Sequence, residues 1–218
     1  MGWSKVFKFI AHSKNAIQIA IQYGWLPAAR YTNLRDVKSF NNLGFLDIDW
    51  KDYDFKSHLD AAIKTKPFLT VARDIEHVNK LPEILDQAYE LKKHCKHVIL
   101  VPKDKSMEDS LDYLLPDCFL LGFSVPTKYG GTTLDPKKFH RPVHLLGGRP
   151  DAQRRLAEMM PVFSLDCNRF TLDASYGDYF DGEKFRKHPQ GGYRRCIEDS
   201  IININKIWYT YDINSRSN

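Results

Sequence analysis

Five aspartates follow apolar runs in this sequence, which could supply carboxylates for acid–base and nucleophilic chemistry. They are Asp47 and Asp49 in GFLDIDW, Asp74 in FLTVARDIE, Asp104 in VILVPKD and Asp166 in FSLDCN. The carboxyl ends of parallel strands meet at one rim of a barrel, so such residues can share a pocket. Asp74 and Asp166 are the strongest candidates for a functional role, because each directly follows an apolar run, where burying a charge is costly. The pattern predicts an enzyme that uses paired carboxylates.

The other aspartates have competing interpretations. Asp47 and Asp49 alternate with Ile48 and Trp50, so the two acids are expected on one face of a strand and the two apolar residues on the other. If the strand points these acids inward, one of them is predicted to be a general acid or base. The alternative is that one is a structural acid and the other lies at the strand exit. Asp104 precedes a predicted helix, where an N-cap is the favoured role.

The segment Val143–Asn168 has the order strand, glycine turn, helix and strand, and its last strand ends at Asp166. The glycine turn Gly147-Gly148 lies just before a helix, where a backbone can approach a phosphate closely. An ordinary tight turn is an equally good interpretation. Its place near the end of a barrel favours an anion site, because barrel phosphate sites are often built there.

Four more residues complete the predicted substrate-binding set. Gly122 and Ser124 lie on the predicted strand Phe119–Val125, and Asn168 follows the Asp166 strand. His144 precedes the glycine turn, and a histidine satisfied within the core is its alternative role. The histidines and cysteines are scattered without metal-ligand spacing, so no metal and no cofactor are predicted.

Short apolar strands alternate with helical patterns along most of the chain, which indicates a parallel sheet of βαβ units. The predicted strands are Val6–Ile10, Arg30–Thr32, Gly44–Trp50, Phe68–Asp74, Val98–Val101, Phe119–Val125, Val143–Leu146 and Val162–Leu165. The predicted helices are Ala16–Ile21, Phe55–Lys64, Val78–Cys95, Met107–Leu115, Asp151–Met159 and Tyr193–Tyr209. A compact α/β barrel of the (β/α)8 type fits this order best, and a doubly wound open sheet is the alternative. Residues Phe170–Gln190 show no periodicity and are predicted to form an ordered loop at the carboxyl rim.

Composition sets the remaining limits. The 218 residues are 43% hydrophobic and carry a formal net charge of +5. These values predict one domain over residues 1–218 with a polar tail after about residue 211, and they permit a polyanionic partner. No apolar run has membrane-spanning length and no signal-peptide core is visible, so a cytoplasmic location is expected.

The motifs FLTVARDIE, VILVPKD, LLGFSVP, VHLLGGRPDAQRRLA and FSLDCN occur in an order that resembles the carboxyl-terminal half of the queuine/archaeosine tRNA-guanine transglycosylase barrel. With SVPTKYGGT and YGDYFDG added, residues 44–208 resemble the small phage-encoded relatives thought to insert 7-deazaguanines into DNA. The cysteine and histidine zinc motif of the transglycosylases is absent. Asn168-Arg169-Phe170 replaces their usual Pro-Thr-Arg after the nucleophile.

The resemblance implies a role for each acid. Asp166 would be the nucleophile that attacks the anomeric sugar carbon, and Asp74 would recognise the guanine edge. One of Asp47 and Asp49 would be the acid/base, and the Gly147 turn would lie beside the pocket.

The expected function is a transglycosylase that exchanges guanine in nucleic acid for a 7-deazaguanine base. DNA is the expected partner and RNA the alternative. A barrel hydrolase or lyase acting on a small sugar or phosphorylated substrate is the first rival. A non-catalytic nucleic-acid-binding relative is the second, and it predicts that the acids do not converge.

Overall fold

A computed structural model describes residues 5–128 and 130–214, and it contains a closed barrel of eight parallel strands. Tyr129 of the SVPTKYGGT motif and residues 215–218 lie outside the described part of the chain. The strands are β1 Phe7–Ile10, β2 Leu26–Arg30, β3 Phe45–Asp47, β4 Leu69–Val71, β5 His97–Leu100, β6 Leu120–Ser124, β7 Val143–Leu146 and β8 Val162–Asp166. Each strand pairs with the next, and β8 closes the barrel against β1. The predicted α/β barrel is confirmed.

The outer layer is thinner than in a full-length barrel. Its helices are α1 Lys14–Gln22, α2 Phe55–Thr65, α3 Leu81–Lys92, α4 Leu111–Leu114, α5 Pro150–Leu156, α6 Arg169–Ala174 and α7 Tyr193–Asn214. Among the described residues, the helical elements between β2 and β3 and between β6 and β7 are short 3-10 turns, Arg35–Val37 and Pro136–Lys138. The predicted helix Met107–Leu115 is a 3-10 turn followed by the four-residue α4. These reductions let a 218-residue chain complete a fold that typically takes about 250 residues.

Three predicted strands had the wrong bounds: the second, the third, and the strand predicted at Phe68–Asp74, which is β4 and ends at Val71. The second strand ends at Arg30 rather than beginning there, because the apolar run upstream of it pairs with β1 and β3. The third ends at Asp47, three residues before the predicted end at Trp50. There the side chain of Asp47 accepts a hydrogen bond from Ile48 N, and Asp49 accepts one from Lys51 N. These local bonds compete with the strand ladder and turn the chain.

The segment Phe170–Gln190, predicted to be an ordered loop, contains regular secondary structure. It contains α6 and an antiparallel hairpin of β9 Asp178–Phe180 and β10 Phe185–Lys187. Phe180 is buried, and its backbone N donates to Ser200 Oγ of α7 at 2.9 Å. Three-residue strands are too short to show alternation, so no periodicity marked them.

Helix α7 continues past the predicted end at Tyr209 and through the predicted start of the polar tail. Its last turn holds the amino ends of two strands. Tyr211 OH accepts a hydrogen bond from Val162 N at 3.0 Å, and Asp212 Oδ1 accepts one from Val6 N at 3.1 Å. The helix therefore fastens β8 to β1 at the seam of the barrel. No described helix is both long and apolar enough to span a membrane.

The seam contact predicts a stability difference between two neighbouring tyrosines. Tyr211→Phe leaves the part-buried N–H of Val162 without its acceptor and should lower the free energy of unfolding by about 1 kcal/mol. Tyr209→Phe is the matched control, because the Tyr209 side chain is exposed. Urea denaturation measures both variants. Equal effects of the two substitutions would contradict a stabilising role for the hydrogen bond between Tyr211 and Val162.

Candidate active site

A cavity of about 330 Å³ opens at the carboxyl rim of the barrel. Seven of the ten predicted site residues line it: Asp47, Asp74, Ser124, Gly147, Gly148, Asp166 and Asn168. They come from the carboxyl ends of β3, β4, β6, β7 and β8, or from the residues just after them. Parallel strands closed into a barrel bring these ends together, as the sequence pattern predicted.

Asp166 is the last residue of β8, and its side chain keeps 11% of its surface exposed. Its Oδ1 accepts a hydrogen bond from Gly147 N at 2.8 Å. The buried Gln153 reinforces this link, because its Nε2 donates to both Gly147 O at 2.7 Å and Asp166 O at 2.8 Å. The carboxylate is thus held in place while one side of it faces the cavity.

Asp47 is prepared for proton transfer. Burial raises its pKa from 3.8 to about 7, with the negative charge of Asp166 adding to the rise and that of Asp74 contributing less. A hydrogen bond from Ile48 N and the Arg30 guanidinium, whose Nε lies 3.9 Å from Asp47 Oδ2, oppose the rise. A carboxyl group with a pKa near 7 can both give and take a proton at neutral pH.

Asp74 carries its own counter-ion. Lys103 Nζ lies 2.6 Å from Asp74 Oδ2 and 3.3 Å from Glu76 Oε1. Burial raises the pKa of Asp74, and Lys103 limits that rise. Burial lowers the pKa of Lys103, but the two carboxylates outweigh it and raise the value overall. Lys103 is therefore a fixed positive charge in the cavity rather than an amine poised as a nucleophile.

Sequence reasoning missed Lys103 as a site residue, along with Arg30 and Trp50. Lys103 follows the apolar run of β5 just as the aspartates follow theirs, so the same signal could have found it. Trp50 was expected to face away from Asp47, but the strand ends first. The indole instead lines the cavity with 58% of its surface exposed.

Three predicted site residues do not line the cavity. Asp49 lies beyond the end of β3 and bonds Lys51 N within the loop, so the predicted shared face with Asp47 is wrong. Gly122 sits inside the barrel, where an added Cβ would come within 2.6 Å of Ile99 Cγ2 and 2.7 Å of Val101 Cγ2. Packing inside the barrel therefore requires a glycine at position 122.

His144 is fully buried beneath Asp166 and cannot reach a ligand directly.

The glycine turn serves the carboxylate. Gly147 donates its N–H to Asp166, so that amide is not available to a phosphate. Gly148 has φ +88°, and a Cβ there would lie 2.4 Å from Val125 Cγ1. Asp151 occupies the first turn of α5, and it pairs with Arg149 and Arg155. An acid at this position works against an anion site.

The side chains of Asp104 and Asn168 both accept hydrogen bonds from backbone N–H groups. Asp104 accepts hydrogen bonds from Ser106 N and Val78 N, which agrees with its expected capping role. Asn168 Oδ1 accepts from Ala11 N at 2.8 Å and ties the end of β8 to that of β1. The described residues contain no group of three or more His, Cys, Asp or Glu side chains that could hold a metal ion.

The fold and site define a small (β/α)8 barrel with a carboxylate cluster at its carboxyl rim. Residues 20–209 match a family of unknown function (DUF6610), and the chain belongs to that family. No match was found among curated protein sequences.

Solved structures resemble the barrel with little sequence identity. The YdjI aldolase from Escherichia coli K12 superposes with a TM-score of 0.54 and 10% identity, covering 97% of this chain and 94% of its own. Cgl0159 from Corynebacterium glutamicum gives a TM-score of 0.52 and 10% identity, covering 95% and 86%. At this identity the likeness shows the fold alone.

The two turn glycines predict different costs of substitution. Gly148→Ala combines a left-handed backbone with a clash against Val125 and should lower the free energy of unfolding by about 2–4 kcal/mol. Gly147→Ala has φ +61° and open space around its Cβ, so it should cost about 1–2 kcal/mol. Chemical denaturation of both variants measures the difference, and equal losses would contradict the packing of this turn.

Asp47 makes stability depend on pH. Folding raises its pKa from 3.8 to about 7, so the folded protein binds this proton more tightly than the unfolded chain. The stability that Asp47 contributes is fully present below about pH 4 and is lost as the pH rises through 7. Asp47→Asn should therefore be more stable than the native protein at pH 8, by up to about 4 kcal/mol, and close to it at pH 4.

Thermal melts of the native protein and of Asp47→Asn from pH 4 to 8 measure this dependence. Asp49→Asn is the matched control, since it removes a carboxylate two residues further along the chain and outside the cavity. A constant gap between Asp47→Asn and the native protein across this range would refute the raised pKa.

Proposed function

We propose that this protein is a base-exchange transglycosylase that replaces guanine in DNA with a 7-deazaguanine base. The observation that carries the proposal is the convergence of Asp47, Asp74 and Asp166 in one cavity with three different environments. The same convergence removes the support for a non-catalytic relative, which predicted separated acids. The resemblance of the motifs to the transglycosylases supplies the roles.

The reaction needs two steps. In the first, the carboxylate of Asp166 bonds to C1′ of the nucleotide, the C1′–N9 bond breaks, and the departing guanine takes the proton of Asp47. In the second, the incoming base loses its N9 proton to Asp47 and bonds to C1′, and the ester to Asp166 breaks. Asp47 ends as it began, which suits a group with a pKa of about 7.

Asp74 and Lys103 suit the recognition of a guanine-type edge. That edge presents N–H donors at N1 and N2 beside an acceptor at O6. A carboxylate accepts from the donors, and an ammonium donates to the acceptor. The 2.6 Å ion pair holds these complementary groups side by side, and 7-deazaguanines keep the same edge.

The surroundings of the cavity support a polynucleotide substrate. Trp50 offers an exposed ring on the rim, and Lys51 Nζ lies 5.2 Å from its centroid. Arg30 and Arg73 add exposed cations at the ends of β2 and β4. Aromatic rings stack on unpaired bases and cations bind phosphates, so binding should be salt-sensitive and the target base flipped out or single-stranded.

Nucleoside mass spectrometry tests the proposal directly. The protein is incubated with guanine-containing single-stranded DNA, duplex DNA or RNA, together with isotopically labelled guanine or 7-deazaguanine bases. We expect label in DNA, and Asp166→Asn should reduce incorporation by at least about 1,000-fold. Asp49→Asn, outside the cavity, should retain activity.

The same experiment separates the alternatives. Release of guanine without incorporation would identify a hydrolase that uses the same carboxylates with water. Label in RNA alone would identify RNA, and not DNA, as the substrate. No exchange or release by the folded protein with any polynucleotide would overturn the proposal.

A further inference from the structure

A buried polar pair lies beneath Asp166 and is not used in the reaction described above. His144 and Ser164 are both fully buried, and His144 Nδ1 lies 2.7 Å from Ser164 Oγ. The rings of Phe45 and Phe9 pack beside the imidazole, with centroids 4.9 and 5.9 Å away. Polar groups in such surroundings are costly unless they are paired.

The other nitrogen of His144 points toward the candidate nucleophile. His144 Nε2 lies 3.4 Å from Asp166 Oδ1, and it forms no hydrogen bond of ordinary geometry with any described residue. A neutral imidazole carries one N–H and one bare nitrogen. A bare Nε2 would turn its lone pair toward the carboxylate oxygen, so the proton belongs on Nε2. Nδ1 is then the acceptor, and the Ser164 hydroxyl donates to it.

We propose that Ser164 and His144 form a buried relay that fixes which oxygen of Asp166 reacts. The Asp166 carboxylate favours the proton on Nε2, Ser164 supports that tautomer by donating to the bare Nδ1, and the Nε2–H of His144 then faces Oδ1. Gly147 N donates to the same oxygen at 2.8 Å. No described residue donates a hydrogen bond to Oδ2, which leaves Oδ2 as the attacking atom. His144 and Ser164 are positioning residues, because neither reaches the cavity.

The consequence for the reaction rests on the proposed function. In the covalent intermediate Oδ2 carries the bond to C1′, and Oδ1 is the carbonyl oxygen. When the incoming base displaces Asp166, the electron pair of the C1′–Oδ2 bond returns to the carboxylate, and negative charge develops on Oδ1. The donors at Oδ1 stabilise that charge. They therefore favour breakdown of the intermediate more than its formation.

Two variants of His144 test this consequence. His144→Leu removes the donor and should slow exchange by about 10- to 100-fold while raising the fraction of protein trapped as the sugar adduct during turnover. His144→Gln keeps an amide that can donate to Asp166 and accept from Ser164, so it should restore part of the rate and lower the trapped fraction. Equal losses in both variants with no extra adduct would overturn the relay.

A spectroscopic measurement tests the relay without any turnover. Long-range ¹H–¹⁵N correlation spectra of the native protein should show His144 protonated at Nε2 and bare at Nδ1, with the signal assigned by its loss in His144→Gln. Ser164→Ala should move His144 toward the other tautomer. His58 is the internal control, because its Nε2 lies 2.8 Å from Thr70 Oγ1 away from the cavity and should not respond.

The two kinds of failure are distinguishable. A native His144 protonated at Nδ1 alone, or at both nitrogens, overturns the relay whatever the activity. The expected tautomer in a protein that exchanges no base supports the relay as a structural device and overturns the proposed function.

Discussion

The hydrogen bond from Gly147 N to Asp166 Oδ1 is the contact on which the candidate site depends. It joins the turn after β7 to the last residue of β8, and it requires that turn to adopt left-handed backbone angles at two successive residues. Gly148 is pressed against Val125, and Gln153 bonds the carbonyls on both sides of the link. The backbone angles, the packing and the side-chain hydrogen bonds thus together hold the Asp166 carboxylate in one position.

Charge balance is the second constraint. Three carboxylates share one cavity, and ionising all of them without compensation would be costly. Lys103 compensates Asp74 through a direct ion pair, whereas Arg30 lies 3.9 Å from Asp47 and compensates it only partly. Burial raises the pKa of Asp47 to about 7, the nearby charge of Asp166 adds to the rise, and Arg30 offsets it only in part. The cluster therefore contains an acid/base group because one of its carboxyl groups is buried without a close counter-ion.

The sequence could predict the barrel because apolar strands and amphipathic helices alternate, and it could predict Asp74 and Asp166 because each follows such a strand. It could not separate Asp47 from Asp49, since that depends on the local bonds that end β3 at Asp47. His144 was predicted to bind substrate, but its depth in the barrel depends on Phe9 and Phe45 from distant strands. The hairpin after β8 escaped prediction because it is held by α7 rather than by its own pattern.

Peptide mass spectrometry of a trapped intermediate tests the central claim that Asp166 is a nucleophile. The protein is mixed with guanine-containing single-stranded DNA without an incoming base, denatured rapidly and digested. The account predicts a sugar-linked adduct on the peptide that contains Asp166, absent from Asp166→Asn and present in Asp49→Asn. An adduct on another residue, or base exchange at the native rate by Asp166→Asn, would contradict it.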